Sequence, residues 1–305
     1  MATGVLAPES ESIGLMEAQC PLALVSVIVL THNEEANLPA CLESLRGLPC
    51  IIFVVDSGSS DLTVDIARAF GAVVVEHPFE THASQWHWAL EHLPIATEWI
   101  LALDADQRVT SELAAELQNL DASSMNGYAG VYIKRRQWFR DRWIKHGGYY
   151  PKYLLKLFRR DNVIVDADDL VDHHFYVTGP VKKLRHDLIE SNKKEDDISF
   201  WIDKHNRYAA LLACEEVRWR NRPLTMSIEP SLFGNPDQKI LALKGLWRRM
   251  PLYVRPFLYF GYRYFLRLGF LDGKQGAVFH FMQAFWFRLV VDIKIDEMLR
   301  QGNRP

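Results

Sequence analysis

Aliphatic and β-branched runs recur along the first hundred positions, and each is closed by a short polar cluster. Leu24-Val25-Ser26-Val27-Ile28-Val29-Leu30 ends in Thr31-His32-Asn33-Glu34-Glu35, the pattern of a strand buried on both faces. Leu38, Leu42 and Leu45 then give an apolar stripe at helical spacing, with Gly47 as its stop. Ile51 to Val55 predicts a second buried strand, closed by Asp56-Ser57-Gly58-Ser59-Ser60-Asp61. Asp61 is placed to cap a helix from Leu62 to Phe70, and Gly71 ends it before a third strand, Ala72 to Val75. A helix over Ala83 to His92 and a fourth strand, Glu98 to Leu103, lead into Asp104. Strands alternating with helices in this way predict a parallel, doubly wound sheet, with ligands at the carboxyl ends of the strands. Further on, the pattern predicts a helix from Ser111 to Leu120 and strands at Val131 to Ile133 and Leu154 to Phe158 that extend or edge the sheet. A longer helix is expected near Asp196 to Trp219.

The three polar clusters, Thr31 to Glu35, Asp56 to Asp61 and Asp104 to Asp106, fall along one sheet edge, within reach of a single ligand. Their acidity is informative. No G-x-G-x-x-G follows the first strand and no G-x-x-x-x-G-K occurs anywhere, so neither Gly-rich phosphate cradle is present. Carboxylates repel a bare diphosphate, so a cation must intervene. Asp104 and Asp106, one residue apart at a strand end, suit Mg²⁺ or Mn²⁺, which take oxygen ligands and keep positions open for phosphate oxygens. Asp56 is placed to accept hydrogen bonds from a base or ribose; capping its own turn is the alternative.

The runs Val27 to Leu38, Val54 to Thr63 and Trp99 to Gln107 resemble, in order, the signatures of the family 2 glycosyltransferases, over most of Leu24 to about Ala210. The resemblance implies an α/β chain with a GT-A type doubly wound, mostly parallel sheet and helices on both faces. It further implies a nucleotide-diphosphate sugar donor and inversion at the anomeric centre. Thr31, Asn33 and Glu34 would line the nucleotide pocket, Asp56 and Ser57 would hold the nucleoside, and Asp104, Ala105 and Asp106 would bracket a metal diphosphate. Some members carry a third metal-side residue two positions past the second Asp; here that position is the cation Arg108. Inversion also needs a general base. Where related bacterial enzymes show a Glu beside a His, this chain offers Asp172, His173 and His174. Either Asp172 is the base, or His173 has replaced the carboxylate, or catalysis is impaired. In Gln85-Trp86-His87-Trp88, His87 stands where relatives have Asn, and the tryptophans read as core or pocket wall. Lys204 to Ala209 resembles a run of the same subgroup, read as a helix flanking the acceptor side.

Composition narrows the setting. Across 305 residues, 49% hydrophobic and 24% charged is the ordinary globular range, and a net charge of −3 gives no reason to expect nucleic acid. Four scattered cysteines without C-x-x-C spacing read as reduced thiols, and the first basic residue is Arg46, so no signal peptide is expected. Residues 1–20 read as a flexible tail and 21–236 as the catalytic domain. In 237–305 the composition changes: seven cations and no acid lie between Asp237 and Asp272, interleaved with aromatics. That suits a helical, amphipathic segment lying on an anionic membrane through 237–290. Its longest uncharged stretch, Gln275 to Phe287, is short of the roughly 20 apolar residues that span a bilayer. Pro251, Arg255-Pro256 and Gly269 to Gly273 resemble the tail of bacterial polysaccharide transferases acting on lipid-linked acceptors. The expected location is cytoplasmic, peripheral on the inner face of the cell membrane, in surface-polysaccharide or lipopolysaccharide synthesis. Two other readings remain: a nucleotidyltransferase, although Thr31 to Glu35 has neither the Gly nor the cation that would grip a triphosphate, and a membrane-bound scaffold that has lost its base.

Overall fold

The computed structural model describes residues 25–165, 174–221, 229–234 and 236–302. Its first part contains β1 (Val25–Thr31), α1 (Leu38–Glu43), β2 (Cys50–Asp56), α2 (Thr63–Ala69), β3 (Val73–Glu76), α3 (His82–His92) and β4 (Trp99–Asp104). The strands lie in the order β3-β2-β1-β4, every neighbour parallel. Register aligns the polar ends: Thr31 is opposite Asp56, and Leu30 is opposite Asp104. Gly47 and Gly71 adopt φ of +82° and +79° just past α1 and α2, the left-handed conformation that lets a chain leave a helix without a Cβ clash.

The chain continues through β5 (Gln107–Val109), α4 (Ser111–Gln118), α5 (Ala122–Met125), β6 (Gly130–Phe139), β7 (Arg142–Ile144), β8 (Lys152–Arg159), β9 (Val163–Val165), β10 (Phe175–Val177) and β11 (Val181–Glu190). Past β4 the sheet runs β8-β6-β11-β5, with β8 antiparallel to both neighbours, β11 parallel to β6, and β5 antiparallel to β11. The two apolar runs expected to extend or edge the sheet are therefore interior to it. The expected parallel, doubly wound half is joined to a mixed half, and the junction lies at β4, the strand that delivers Asp104.

Each face of the sheet has its own core. Leu38, Leu42 and Leu113 pack on one face with Val27, Val29 and Leu101. Trp86, Ala89 and Phe175 pack on the other with Ile28, Val55 and Ile100. The alternation along β1 and β4 assigns successive residues to opposite faces, and both faces are covered, so those strands read as unbroken apolar runs. Trp86 is fully buried and meets Phe175 edge-to-face at 4.8 Å.

A third core joins the carboxyl-terminal helices to the sheet. The helices of this region are α6 (Ile198–Asn221), α7 (Pro236–Arg249), α8 (Arg255–Gly261), α9 (Gly273–His280) and α10 (Phe287–Gly302), with wide π-type turns at Tyr262–Leu266 and Phe281–Trp286; α6, α9 and α10 supply the core. Trp201, Ala209 and Ala213 of α6 pack against Phe287, Val291 and Ile295 of α10 and against Phe139 and Ile144 of β6 and β7. Arg255 is fully buried and paired with Asp292 at 2.5 Å and Glu216 at 2.7 Å, tying α8 to both α10 and α6. By length and composition alone, Gly269–Gln301 is a helix long and apolar enough to cross a membrane. Here one side of it is spent on α6, and His280 and Asp292 within it are fully buried.

Candidate active site

The first two polar clusters are stitched into one ledge. Asp56 is buried; its Oδ1 accepts from Thr31 Oγ1 at 2.8 Å and Ser59 Oγ at 2.6 Å, and its Oδ2 accepts from the Ser59 N–H at 2.7 Å. It thus anchors its own turn, the alternative left open by the sequence, with little of its acceptor capacity left uncommitted. Asn33 sits at φ +53°, a conformation Asn tolerates better than most residues, and its Oδ1 accepts from the Ser60 N–H at 2.8 Å. Glu34 is held by Lys194 at 2.5 Å and by Asn37 Nδ2 at 2.8 Å. Ser57 Oγ accepts from Gln85 Nε2 at 3.1 Å. Asp61 does not cap α2 as expected: the N-cap is Leu62, which makes no side-chain capping bond, and Asp61 instead accepts from the Thr63 N–H at 3.0 Å in the turn before it. Five of the sequence-derived nucleotide residues, Thr31, Asn33, Glu34, Asp56 and Ser57, are therefore neighbours.

The third cluster acquires a partner that local sequence did not reveal. Asp104, Asp106 and Glu190 offer carboxylate oxygens that all lie within 4.8 Å of one another. Glu190 ends β11 and pairs in register with Gln107 of β5. Gln107, itself buried, makes the link: its Oε1 accepts from the Asp104 N–H at 3.2 Å and its Nε2 donates to Glu190 at 2.8 Å. Arg108, the cation two residues past Asp106, does not supply the third oxygen; Glu190 does. Ala105 turns its methyl into the core, so only its backbone is available to a ligand.

Burial, Glu190 and Asp104 push the Asp106 carboxyl well above the ordinary carboxylate range. Two basic side chains partly offset this crowding: Lys156 Nζ lies 3.0 Å from Asp104, and Arg135 grips Glu190 through two contacts of 2.9 and 3.0 Å. An all-oxygen set that resists full ionisation by itself fits a hard divalent cation. Asp104, Asp106 and Glu190 are the residues that would hold Mg²⁺ or Mn²⁺ here. Such an ion would supply Lewis-acid neutralisation of a departing diphosphate.

Next to the carboxylates opens a solvent-open cleft, walled in part by Arg135, Lys156, His174 and Asp237. Asp237, at the start of α7, accepts a hydrogen bond from the Tyr132 hydroxyl, so the carboxyl-terminal segment furnishes part of this wall. Asp172 and His173, the base candidates, lie outside the described residues, which resume at His174. Lys204, read from the sequence as part of a structural helix, is held by Glu195 at 2.7 Å, and its charge acts on Asp106. The missed residues had one usable signal: Glu190 follows the apolar pair Leu188-Ile189, the same strand-end pattern that singled out Asp104.

A mostly parallel, doubly wound sheet carrying a strand-end carboxylate triad beside a polar ledge has the architecture of a GT-A type fold. Residues 26–184, more than half the chain, match the profile of Glycosyl transferase family 2, and the chain belongs to that family. It is 27% identical over 277 residues to the lipopolysaccharide core biosynthesis glycosyltransferase LpsC of Rhizobium meliloti, covering 87% of this chain and 92% of that protein. It is 32% identical over 111 residues to an uncharacterized glycosyltransferase of Rickettsia typhi, a match spanning 36% of this chain and only 37% of that protein. Among solved structures, the mannosyltransferase PcManGT of Pyrobaculum calidifontis, in complex with GDP-Man and Mn²⁺, superimposes with a TM-score of 0.47 at 17% identity, covering 90% of this chain and 86% of that one. TarS 1–349 of S. aureus gives 0.41 at 16% identity, with 92% of each chain covered.

Proposed function

We propose that this protein is a metal-dependent, inverting glycosyltransferase that moves a sugar from a nucleotide-diphosphate donor to a hydroxyl of a lipid-linked glycan acceptor in cell-surface polysaccharide or lipopolysaccharide synthesis. The observation carrying the reading is the carboxylate triad at the end of β4, beside the ledge built on Thr31, Asn33, Glu34 and Asp56. The near full-length likeness to LpsC supports the lipopolysaccharide setting. In this reading the ledge orients the nucleoside, the triad with Mg²⁺ or Mn²⁺ receives the diphosphate, and the cleft walled by His174 and Asp237 admits the acceptor. Asp172 takes the proton of the acceptor hydroxyl, with His173 as the second choice.

A panel of nucleotide sugars, each with Mn²⁺, Mg²⁺ or EDTA, tests this directly. One donor is expected to raise the melting temperature in a metal-dependent way, since a ligand binding only the folded state stabilises it by mass action. The same donor should slowly release nucleoside diphosphate. No release from any donor would leave the family fold as a scaffold and overturn the transferase reading. With the cognate acceptor, Asp172→Asn is expected to lower kcat by roughly 10²- to 10⁴-fold. A loss of that size in His173→Ala, with Asp172→Asn near wild type, would move the base to His173.

The membrane part of the reading rests on the carboxyl-terminal surface. Phe257, Phe265 and Leu266 are 61%, 59% and 76% exposed amid basic residues, the pairing of apolar and cationic groups that a peripheral protein presents to an anionic leaflet. The protein then sits on the inner face of the cell membrane. Substituting Phe265→Glu and Leu266→Glu together is expected to release it from anionic liposomes in co-sedimentation; unchanged recovery would refute the placement.

A further inference from the structure

Two sets stand out among the arginines of the carboxyl-terminal segment. Arg248 and Arg255 are paired with acids on α6 and α10. Among the described residues, Arg263, Arg267 and Arg288 form no ion pair. The acid nearest Arg263 and Arg267 in sequence, Asp272, is already committed: it accepts from the His146 N–H at 2.9 Å, from His146 Nδ1 at 2.6 Å and from the Lys145 N–H at 3.3 Å; Asp292, nearest Arg288, is taken by Arg255.

These unmatched arginines are nonetheless brought together. A Cβ placed on Gly148 would stand 3.7 Å from Arg263 Nη1 and 3.5 Å from Arg267 Nε, so two guanidinium groups converge on one glycine. Gly148 adopts φ +73°, and the Gly147 N–H donates to the Arg267 carbonyl at 2.9 Å, which fixes the loop against the helical segment. Arg263 stacks 3.9 Å from the centroid of Tyr149, and its Nε is buried without a partner. Arg135, Arg263 and Arg288 all act on the Tyr149 phenol, and Arg135 is also the group that grips Glu190. The cluster therefore shares the Tyr149 phenol with Arg135 as an electrostatic neighbour. In the chain it is directly flanked by exposed apolar residues, Phe265, Leu266, Phe270 and Leu271.

Two guanidinium groups held close without an acid repel each other, and a planar fork of N–H donors matches phosphate oxygens. We propose that Arg263 and Arg267, over Gly148, form a phosphoryl-binding site for the acceptor, with Arg288 adding positive charge. The proposal rests on the transferase reading above. In that reading the donor's diphosphate is received by the triad, which leaves the phosphoryl group here to the acceptor, between its reacting hydroxyl and its apolar end.

The test is calorimetric titration of the full-length protein in EDTA, which removes metal-borne phosphate binding at the triad. The probes are inorganic phosphate and glucose 6-phosphate; in parallel, binding to phosphatidylglycerol and phosphatidylcholine vesicles is measured by sedimentation. Wild type is expected to bind the soluble phosphates saturably, and Arg267→Gln and the double variant Arg263→Lys/Arg267→Gln to bind at least tenfold more weakly. Arg263→Lys keeps a cation on Tyr149, and circular dichroism checks that the fold persists. Equal affinity in wild type and both variants, or no saturable binding by wild type, would overturn the proposal. Loss confined to phosphatidylglycerol vesicles would assign the arginines to the bilayer surface and overturn the acceptor site. Donor hydrolysis by wild type tests the transferase reading separately.

Discussion

Replacing Asp106 by Asn is expected to make the metal-free protein more stable and the metal-bound protein less so. The three carboxylates lie within 4.8 Å of one another, and Coulomb's law at an effective dielectric of about 20 gives about 3 kcal/mol for two unit charges at that separation. Lys156 and Arg135 offset part of this, and the half-buried position of Asp106 admits solvent screening, so the net relief in Asp106→Asn is about 1 kcal/mol. That corresponds to about 2 °C in a chain of this size. The pH dependence carries the sign. Because the folded-state pKa of Asp106 is raised, its preference for the proton stabilises the fold fully below the ordinary carboxylate pKa. That contribution is lost as pH rises through the folded value. In EDTA, wild type should therefore lose stability over that rise while Asp106→Asn stays flatter. Saturating Mn²⁺ should reverse the order, raising wild type by about 3 kcal/mol at a hundredfold excess over Kd and the variant far less. Differential scanning fluorimetry from pH 4 to 8, with EDTA or Mn²⁺, reads all four states. A metal-free variant less stable than wild type, together with an undiminished Mn²⁺ shift, would refute both the crowding and the assignment of the site.

Other substitutions test the frame around it. Arg255→Ala leaves Asp292 buried without its cation and is expected to cost about 3–5 kcal/mol in urea unfolding; a loss under 1 kcal/mol would mean the network is not a structural lock. Gly147→Ala would place a Cβ 2.0 Å from the His280 ring at φ +66°, so a marked drop in melting temperature is expected, partly recovered by adding His280→Ala. No recovery would mean that backbone conformation alone sets the cost. Tyr132→Phe removes the donor to the buried Asp237 and should cost about 1–3 kcal/mol; thermal melts of the two proteins compare them directly.

The parallel half of the sheet was legible because each of its strands is covered on both faces, so burial writes an unbroken apolar run and the next polar residue marks the ligand edge. Asp104 and Asp106 stood out by that rule. Glu190 obeys the same rule, yet its link to them depends on β11 and β5 pairing, a contact that no local window contains. Asp56 shows the opposite limit: its position and its local bonds to Ser59 were legible as a turn, but its bond to Thr31 arises only when β1 and β2 pair. The carboxyl-terminal run reads as uniformly cationic because the acids that pair with it, Glu215, Glu216 and Asp292, lie outside the stretch from Asp237 to Asp272. Charge balance there is tertiary. Composition therefore overstated how much of the run is free to meet a membrane, while the exposed Phe265 and Leu266 keep that surface apolar.

The register of β5 with β11 also has a consequence for synthesis. Chains are made from the amino terminus, and domains fold as units as they emerge. A nascent chain that has reached β5 already holds the residues of the ledge and two carboxylates, but the oxygen that completes the triad arrives only with Glu190. Until then the growing chain carries the residues of the ledge without a complete carboxylate set. On the proposed function, metal-dependent donor capture would be deferred until β11 has been made.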